Sequence, residues 1–468
     1  MTAERDLYAH LVSGILFPLH ERLKGHDTGR RYRELIRSES WGPERIAALQ
    51  NERLRALLTS AGARVPYYRK LFADTGFRPE AVRGPGDLTP LPFLTKADIR
   101  SHHGALIAEG AKGLARASTG GSTGEPLQFR VGLARVTSDV ASRRRAMRWW
   151  GVDIGDPEVV LWGSHIELTR QDRLRAIRDR LFRSTLLSAN RMTPERLDLY
   201  LDAILRVRPV HIFSHPSALS ELARHAEEHG RRMSALGTRV VFLTAEQLYE
   251  HQRLRVERVF GCPVANGYGG RDAGFVAHEC PEGGMHLNAE DVLVEIVDDR
   301  GAPVPPGVAG EIVVTHLHSQ DFPFIRYRTG DVGVGGGEPC RCGRGLPLLR
   351  EIHGRADDLL LGLDGARVPG QVVVLEVRDV PGIRAFKIVQ ELRDLVRVSL
   401  VTAPEFPDTA ERSIARGLRT HLGEAIRVEF EYLSEIPPDP SGKHRSVGSR
   451  IGASPSREAE ALARDPGR

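Results

Sequence analysis

The sequence predicts an α/β fold, with a large N-terminal domain of mostly parallel sheets plus a β region, and a small mobile α+β C-terminal domain. Three observations carry this prediction. Between residues 115 and 260, short apolar runs alternate with helix-like stretches, the rhythm of strands joined by crossover helices. From 285 to 350 the texture turns to β-type alternation between Gly and Pro turns. Past Gly354–Asp358, residues 359–448 carry strand-like runs of their own. A chain of 468 residues exceeds one ordinary hydrophobic core, so more than one domain is expected.

In chain order, residues 1–100 read as a helical start. Pro43 to Ala63 places Ile46, Leu49, Leu54, Leu57 and Leu58 on roughly one face. Thr95-Lys96-Ala97-Asp98 has the cap and first turn of another helix. The α/β part, 101–284, has strand-like runs at Val159–Trp162, Val210–Phe213 and Val240–Leu243, with helices expected over Pro194–Arg206 and Ser217–His229. In such sheets ligands collect beyond the carboxyl ends of the strands. The β region, 285–354, has clear strands at Val292–Val297 and Glu311–Thr315 and completes the N-terminal domain, 1–354. The small domain, 355–448, has strands near Arg384–Gln390, Leu395–Val401 and Arg427–Leu433. The Ser-, Arg- and Ala-rich tail, 449–468, is expected to be mobile or loosely helical.

Composition narrows the function. Hydrophobic content of 41% and charged content of 27% fit a soluble globular protein. No apolar run reaches the roughly 18 residues that span a bilayer. Leu11–Leu19 is short, contains Pro18 and lacks a small-residue cleavage site, so no signal peptide is read and a cytoplasmic location is expected. A net charge of +5 without a nucleic-acid-binding motif argues against nucleic acid as a partner. Arg143, Arg144, Arg145 and Arg148 form the one dense basic cluster, either a solvated helix face or a docking patch for an anionic partner. Only six of the 66 basic residues are lysines, so a lysine in a glycine-rich loop stands out. Four cysteines do not make a disulfide framework.

Five segments carry chemistry. In Ser118-Thr119-Gly120-Gly121-Ser122-Thr123-Gly124, glycines let the backbone approach an anion and hydroxyls supply donors for phosphate oxygens. The segment lacks the Gly-Lys-Ser/Thr ending of a P-loop, and a flexible linker is the competing reading. In Asn266-Gly267-Tyr268-Gly269-Gly270-Arg271-Asp272, a tyrosine between glycines can present its ring to a base, and Asp272 can bind Mg²⁺; a plain strand end and turn is as good a reading. Arg326-Tyr327-Arg328-Thr329-Gly330-Asp331 ends in a carboxylate able to bridge two vicinal ribose hydroxyls, or in a surface turn. Gly354-Arg355-Ala356-Asp357-Asp358 marks a hinge between domains. Pro440-Ser441-Gly442-Lys443 sets a rare lysine on a glycine loop, where it could meet a phosphate or simply face water.

Together and in this order the five segments resemble the adenylate-forming superfamily. Val65-Pro66-Tyr67-Tyr68-Arg69, Leu91-Pro92-Phe93-Leu94-Thr95-Lys96, His215-Pro216-Ser217-Ala218-Leu219 and Thr244-Ala245-Glu246-Gln247-Leu248 narrow the resemblance to its phenylacetate–CoA ligase-like branch, with the capsule-cluster and coenzyme F390 synthetase relatives. The resemblance spans about residues 15–448. It implies ATP-dependent activation of a carboxylic acid, aryl or arylacetic by analogy, to an acyl-adenylate with release of pyrophosphate, then transfer to CoA. The alternative acceptor is an amine, a carrier protein or another nucleophile of a biosynthetic pathway.

Residue by residue, the resemblance assigns Ser118 through Gly124 to the ATP phosphates and Tyr268, with Gly269, to adenine. Asp272 takes the Mg²⁺ role usually held by glutamate, one methylene longer. Asp331 holds the ribose, with Arg355 on the same sugar or the phosphate; Asp357 is the hinge, and Lys443 completes adenylation. Lys96 meets a phosphate or faces solvent. The acid pocket draws on Trp162–Ser164, Phe213–Ser217, Val241–Ala245 and Asn266–Gly267, with His215, Ala245 and Gly267 as its candidates; His215 faces the acid or caps a helix. Cys280, His286, Cys340 and Cys342 have the composition of a structural Cys₃His zinc site, with Gly and Pro neighbours that allow tight turns. The expected small partners are the acid, ATP, Mg²⁺ and CoA. No membrane partner is expected, and a homodimer is the oligomer entertained.

Overall fold

The computed structural model describes residues 6–119, 126–163, 172–189, 192–355, 359–378, 380–436 and 446–451. Gly120, Gly121, Ser122, Thr123 and Gly124 of the glycine loop, Asp357 of the hinge and Lys443 lie outside them.

The helical start comprises α1 (Leu7–Leu11), a π turn (Val12–Leu16), α2 (Phe17–Leu23), α3 (Thr28–Ser38), α4 (Pro43–Arg64), α5 (Pro66–Thr75) and α6 (Lys96–Ser101). The expected periodicity of α4 holds, with Ile46, Leu54, Leu57 and Leu58 buried. Thr95 caps α6 as predicted: its hydroxyl accepts the Asp98 N–H (3.2 Å) and the Asp98 carboxylate accepts the Thr95 N–H (2.8 Å).

A short hairpin follows, β1 (Ala115–Ser118) with β2 (Gln128–Val131), and then α7 (Leu133–Trp149). The α/β part contains β3 (Glu158–Trp162), α8 (Asp172–Leu181), β4 (Ser184–Ser188), α9 (Pro194–Val207), β5 (His211–Ser214), α10 (Pro216–Glu228), β6 (Val240–Thr244), α11 (Glu250–Phe260), β7 (Val264–Gly270), β8 (Gly274–Glu279) and β9 (Met285–Leu287). These strands form one seven-stranded sheet in the order β4-β3-β5-β6-β7-β8-β9, parallel from β4 to β7 and antiparallel beyond. Val159, Leu161, Ile212, Val241, Leu243 and Val264 bury one face of it against apolar residues of α9, α10 and α11. Because β9 still belongs to this sheet, the separate β region begins at Val292 and not at 285.

That region is a meander of β10 (Val292–Val297), β11 (Ala309–His316), β12 (Tyr327–Gly335) and β13 (Leu349–Arg355). The C-terminal part has β14 (Leu359–Leu361), β15 (Arg367–Pro369), α12 (Gly370–Arg378), β16 (Ile383–Leu392), β17 (Leu395–Thr402), α13 (Ala410–Leu422), β18 (Arg427–Tyr432) and β19 (Val447–Ser449). Its four-stranded sheet, β18-β17-β16-β19, encloses a core of its own, including Ile388, Val398, Leu400, Ile414 and Leu418.

Only half of the basic cluster on α7 faces solvent: Arg148 is exposed and Arg143 partly so. Arg144 and Arg145 are buried: Arg144 donates to Asp153 (2.7 Å), and Arg145 to Glu290 (2.6 Å) and Asn288 (2.8 Å). Alongside, Arg31 of α3 pairs with Asp291, to which Ser142 also donates (2.5 Å). These paired charges bind the helical start and α7 to the residues before β10, and losing either partner would strand a buried ion.

Candidate active site at the carboxyl end of the sheet

Two tyrosine–carboxylate pairs cross between the parallel sheet and the β meander. From β7, the Tyr268 hydroxyl donates to Asp331 Oδ2 of β12 (2.8 Å). From β12, the Tyr327 hydroxyl donates to Asp272 Oδ2, in the turn after β7 (2.7 Å). Burial and the neighbouring carboxylate raise both phenols well above their ordinary range, so each stays protonated as a donor. Register places Arg355 of β13 opposite Asp331, and its Nε lies 3.3 Å from Asp331 Oδ1. Asp331 thus holds a tyrosine on one oxygen and a guanidinium on the other. Asp272 Oδ1 accepts the Ala273 N–H (3.1 Å).

Two glycines keep this turn free of side chains. A Cβ at Gly269 would lie 2.3 Å from the Gly274 carbonyl oxygen, and one at Gly267 would lie 2.7 Å from Cε1 of His278. The His278 ring cannot easily yield, because it is buried and stacks on Phe275 at 3.9 Å.

The neck of the glycine loop meets the same turn. The Thr119 N–H donates to the Leu127 carbonyl (3.0 Å) and the Leu127 N–H to the Thr119 hydroxyl (3.1 Å), which closes the loop where it leaves β1. Arg271 donates to the Ser118 carbonyl (3.4 Å). Arg135 of α7, fully buried, donates to the carbonyls of Arg271 (2.6 Å) and Asp272 (2.8 Å). Beside it, burial works against the Asp139 carboxylate, but His316, Arg135 and the Phe275 N–H hold it below its ordinary value. Ser118, Tyr268, Asp331 and Arg355 therefore belong to one connected site, as does Asp272. Arg135, Tyr327 and Arg271 hold it together; their positions near the motifs were visible in the sequence, but their bonding was not.

The predicted pocket residues gather at the ends of β5, β6 and β7. His215 is buried and stacks on Trp162 at 3.7 Å, with Phe213 on the same indole at 5.5 Å. It occupies the N-cap position of α10, yet its side chain makes no capping bond. The cap comes from Glu246, which accepts the Ser217 N–H (3.0 Å). Ala245 adopts a left-handed backbone (φ 71°), a conformation that costs a non-glycine residue about 1–2 kcal/mol; the turn leads directly into Glu246. Lys96 opens α6, two residues after Leu94 bridges Tyr327, and so sits beside the start of β12.

Cys280, His286, Cys340 and Cys342 converge, their donor atoms all within 4.8 Å of one another. Cys280 and Cys340 sulfurs are 3.6 Å apart, near the roughly 3.8 Å edge of a tetrahedron with 2.3 Å metal–sulfur bonds. His286 turns Nε2 to the Cys342 sulfur (3.1 Å) and Nδ1 to the Leu346 carbonyl (3.3 Å), leaving Nε2 as the ligand nitrogen. Burial lowers the His286 pKa to about 4, so the ring is neutral as metal ligation requires. A Cβ at Gly284 would fall 2.6 Å from the Cys340 sulfur. The donor set fits zinc.

Comparison with known proteins agrees with this architecture. Residues 183–318 match the AMP-binding enzyme family, and residues 360–450 the CapK C-terminal domain. A phenylacetate-coenzyme A ligase of Thermus thermophilus is 29% identical over 86% of this chain and 96% of its own. Protein CapK of Staphylococcus aureus is 23% identical over 86% of this chain and 89% of its own. Among solved structures, 2-hydroxyisobutyryl-CoA ligase in its postadenylation state has a TM-score of 0.73 at 19% identity, covering 92% of this chain and 94% of its own. Among the described residues, no helix is long and apolar enough to cross a membrane. In its matched regions and its curated relatives the chain is similar to the phenylacetate–CoA ligase-like branch of the adenylate-forming superfamily.

Proposed function

We propose that this chain uses ATP to activate an aryl or arylacetic acid as its acyl-adenylate and passes the acyl group to CoA. The observation that carries the reading is the convergence of Tyr268 and Arg355 on Asp331, beside a glycine-loop neck held by Arg271. Phenylacetate-coenzyme A ligases of Thermus thermophilus, Aromatoleum evansii and Pseudomonas putida, 27–29% identical, support the acid class and the acceptor.

Asp331, fixed by Tyr268 and Arg355, accepts from the ribose hydroxyls. The Tyr268 ring, braced through its hydroxyl, offers a face to adenine beside Gly269. Ser118, Thr119 and the loop through Gly120, Gly121, Ser122, Thr123 and Gly124 hold the phosphates, and Lys96 at the start of α6 is a candidate to join them. Asp272 supplies one carboxylate to Mg²⁺, which usually keeps several waters and phosphate oxygens around one or two protein ligands. A Mg²⁺ ion held by Asp272 would offset phosphate charge.

The substrate carboxylate, with its tail against His215, Ala245 and Gly267, attacks the α-phosphorus, and pyrophosphate leaves. Lys443 neutralises charge as the two anions meet. The CoA thiol then attacks the acyl carbon, losing its proton, and AMP leaves. Rotation of the small domain about Asp357 exchanges Lys443 for the thiol between the two steps. Cys280, His286, Cys340 and Cys342 would hold zinc in a structural role, clamping the β8–β9 turn to the loop before β13.

ATP–pyrophosphate exchange over a panel of aryl, arylacetic and aliphatic acids tests the first half-reaction. Exchange stimulated by an aromatic acid is expected; exchange with none of the panel would overturn the reading.

A further inference from the structure

The first helices carry an apolar stripe that nothing among the described residues covers. Leu7, Leu11, Ile15, Leu19 and Leu23 follow at four-residue intervals and are 41–87% exposed, while Ala9, Val12 and Phe17 bury the opposite side. In a regular α-helix that spacing drifts about 40° per step, or about 160° over the stripe. The π turn takes most of this back. There the Phe17 N–H donates to the Val12 carbonyl, five residues earlier, so one residue is inserted, worth about 100°. The five side chains thus stay within about 60° of one line. They expose on the order of 600 Å², at the upper limit of the apolar patch an ordinary monomer shows. The Tyr8 hydroxyl donates to the Leu181 carbonyl (2.9 Å) and ties the stripe to α8, whose Ile177 and Leu181 are also exposed.

We propose that this stripe is the contact face of a homodimer, two copies laying their first helices antiparallel across a two-fold axis near Ile15. Symmetry sets Leu7 against Leu23, Leu11 against Leu19, and Ile15 against itself, a self-complementary pairing. The stripes alone can bury at most about 1,200 Å² in the pair, the lower bound for a specific interface, and Ile177 and Leu181 add to it. Gly14, next to Ile15, has open space where a Cβ would be, so the helices can approach closely at the axis. Charge favours a second copy over an anionic lipid surface. From Leu7 to Leu23 the only formal charges are the buried Glu21 and Arg22; Lys24 follows, and on the α8 side Arg180 accompanies Arg178, which is paired with Asp179, as nearby Arg183 is with Asp6. A helix that binds anionic membranes presents a cationic face, and this one does not.

The test is light scattering and sedimentation equilibrium on the full chain at low micromolar concentration. Twice the 51.7 kDa chain mass is expected. The double variant Leu11→Glu/Ile15→Glu should dissociate at least ~100-fold more readily, with an unchanged circular-dichroism spectrum. Leu199→Glu, at an exposed leucine on α9, should leave the dimer intact. Wild-type protein that stays monomeric overturns the proposal, as does a dimer that survives the two glutamates or dissociates equally with Leu199→Glu. Stripe-dependent sedimentation of a monomer with phosphatidylcholine–phosphatidylglycerol vesicles also overturns it, by making the face a membrane contact.

Discussion

Replacing Asp331 by alanine tests whether its carboxylate reads the sugar of the nucleotide. In the structure each carboxylate oxygen already has one neighbour, the Tyr268 hydroxyl at 2.8 Å and Arg355 Nε at 3.3 Å, which fix its orientation before any ligand arrives. A hydrogen bond to a charged acceptor contributes about 1.5–3 kcal/mol, so two ribose hydroxyls on one carboxylate amount to about 3 kcal/mol or more. That is a loss of at least ~100-fold in kcat/KM for ATP. The cost to the fold is smaller. The Tyr268 hydroxyl loses its acceptor, at about 1–3 kcal/mol, and the Arg355 pair, more than a third exposed on the arginine side, adds little. The diagnostic assay is pyrophosphate release with ATP and with 3′-deoxy-ATP. Wild-type protein should lose ~10-fold or more with the deoxy nucleotide, and Asp331→Ala less than ~3-fold, because its partner for that hydroxyl is already gone. Equal discrimination by both proteins would refute the ribose role, even if the variant were slow.

Lys443→Ala should lower adenylate formation ~100-fold or more while thioester formation from a supplied acyl-adenylate stays near wild type; equal loss in both steps would argue against domain rotation. Purified protein should contain one zinc per chain. Cys280→Ser should lose it and melt about 4 °C lower or more, with chelator lowering wild type but not the variant; metal-free wild type of unchanged stability would remove the zinc assignment. Burial opposes the Glu158 charge, but the His211 hydrogen bond (2.8 Å) and nearby Arg143 outweigh it and hold the carboxyl down to about 2. A depressed carboxylate pKa adds stability above the unfolded value, near 4.5, that is lost as pH falls toward 2. Glu158→Gln should therefore be destabilised at pH 7, and its deficit relative to wild type should shrink by about 2 kcal/mol at pH 3; a pH-independent gap in urea midpoints would contradict this.

Periodicity made most of the fold legible. Helix α4 begins at the predicted residue and ends one residue beyond the predicted limit, and β10 matches the expected strand end to end, because apolar spacing there reflects a buried face. Edge strand β4 was missed because its burial is too shallow to leave an alternating pattern. The antiparallel turn back at β8 and β9 was also missed, since register depends on partners and not on composition. The buried half of the arginine cluster, Arg144 and Arg145, misled for the same reason. What buries Arg145 is Glu290, 145 residues away, and no local signal announces that pairing. At the site, Tyr268, Asp331 and Arg355 were legible as ordered motifs. The crossed Tyr327–Asp272 pair and the Arg135 anchor were not, because each is a contact between segments with no spacing of its own.

The central claim is that one ATP, held by Asp331 and its partners, is cleaved to AMP by a carboxylate that then becomes a thioester. Mass spectrometry of purified chain incubated with ATP, Mg²⁺ and an arylacetic acid, with and without CoA, tests it most directly. Acyl-adenylate and pyrophosphate should form without CoA, and AMP with the acyl-CoA thioester when CoA is added. ADP and orthophosphate as products, or no acid-dependent turnover of ATP, would contradict it.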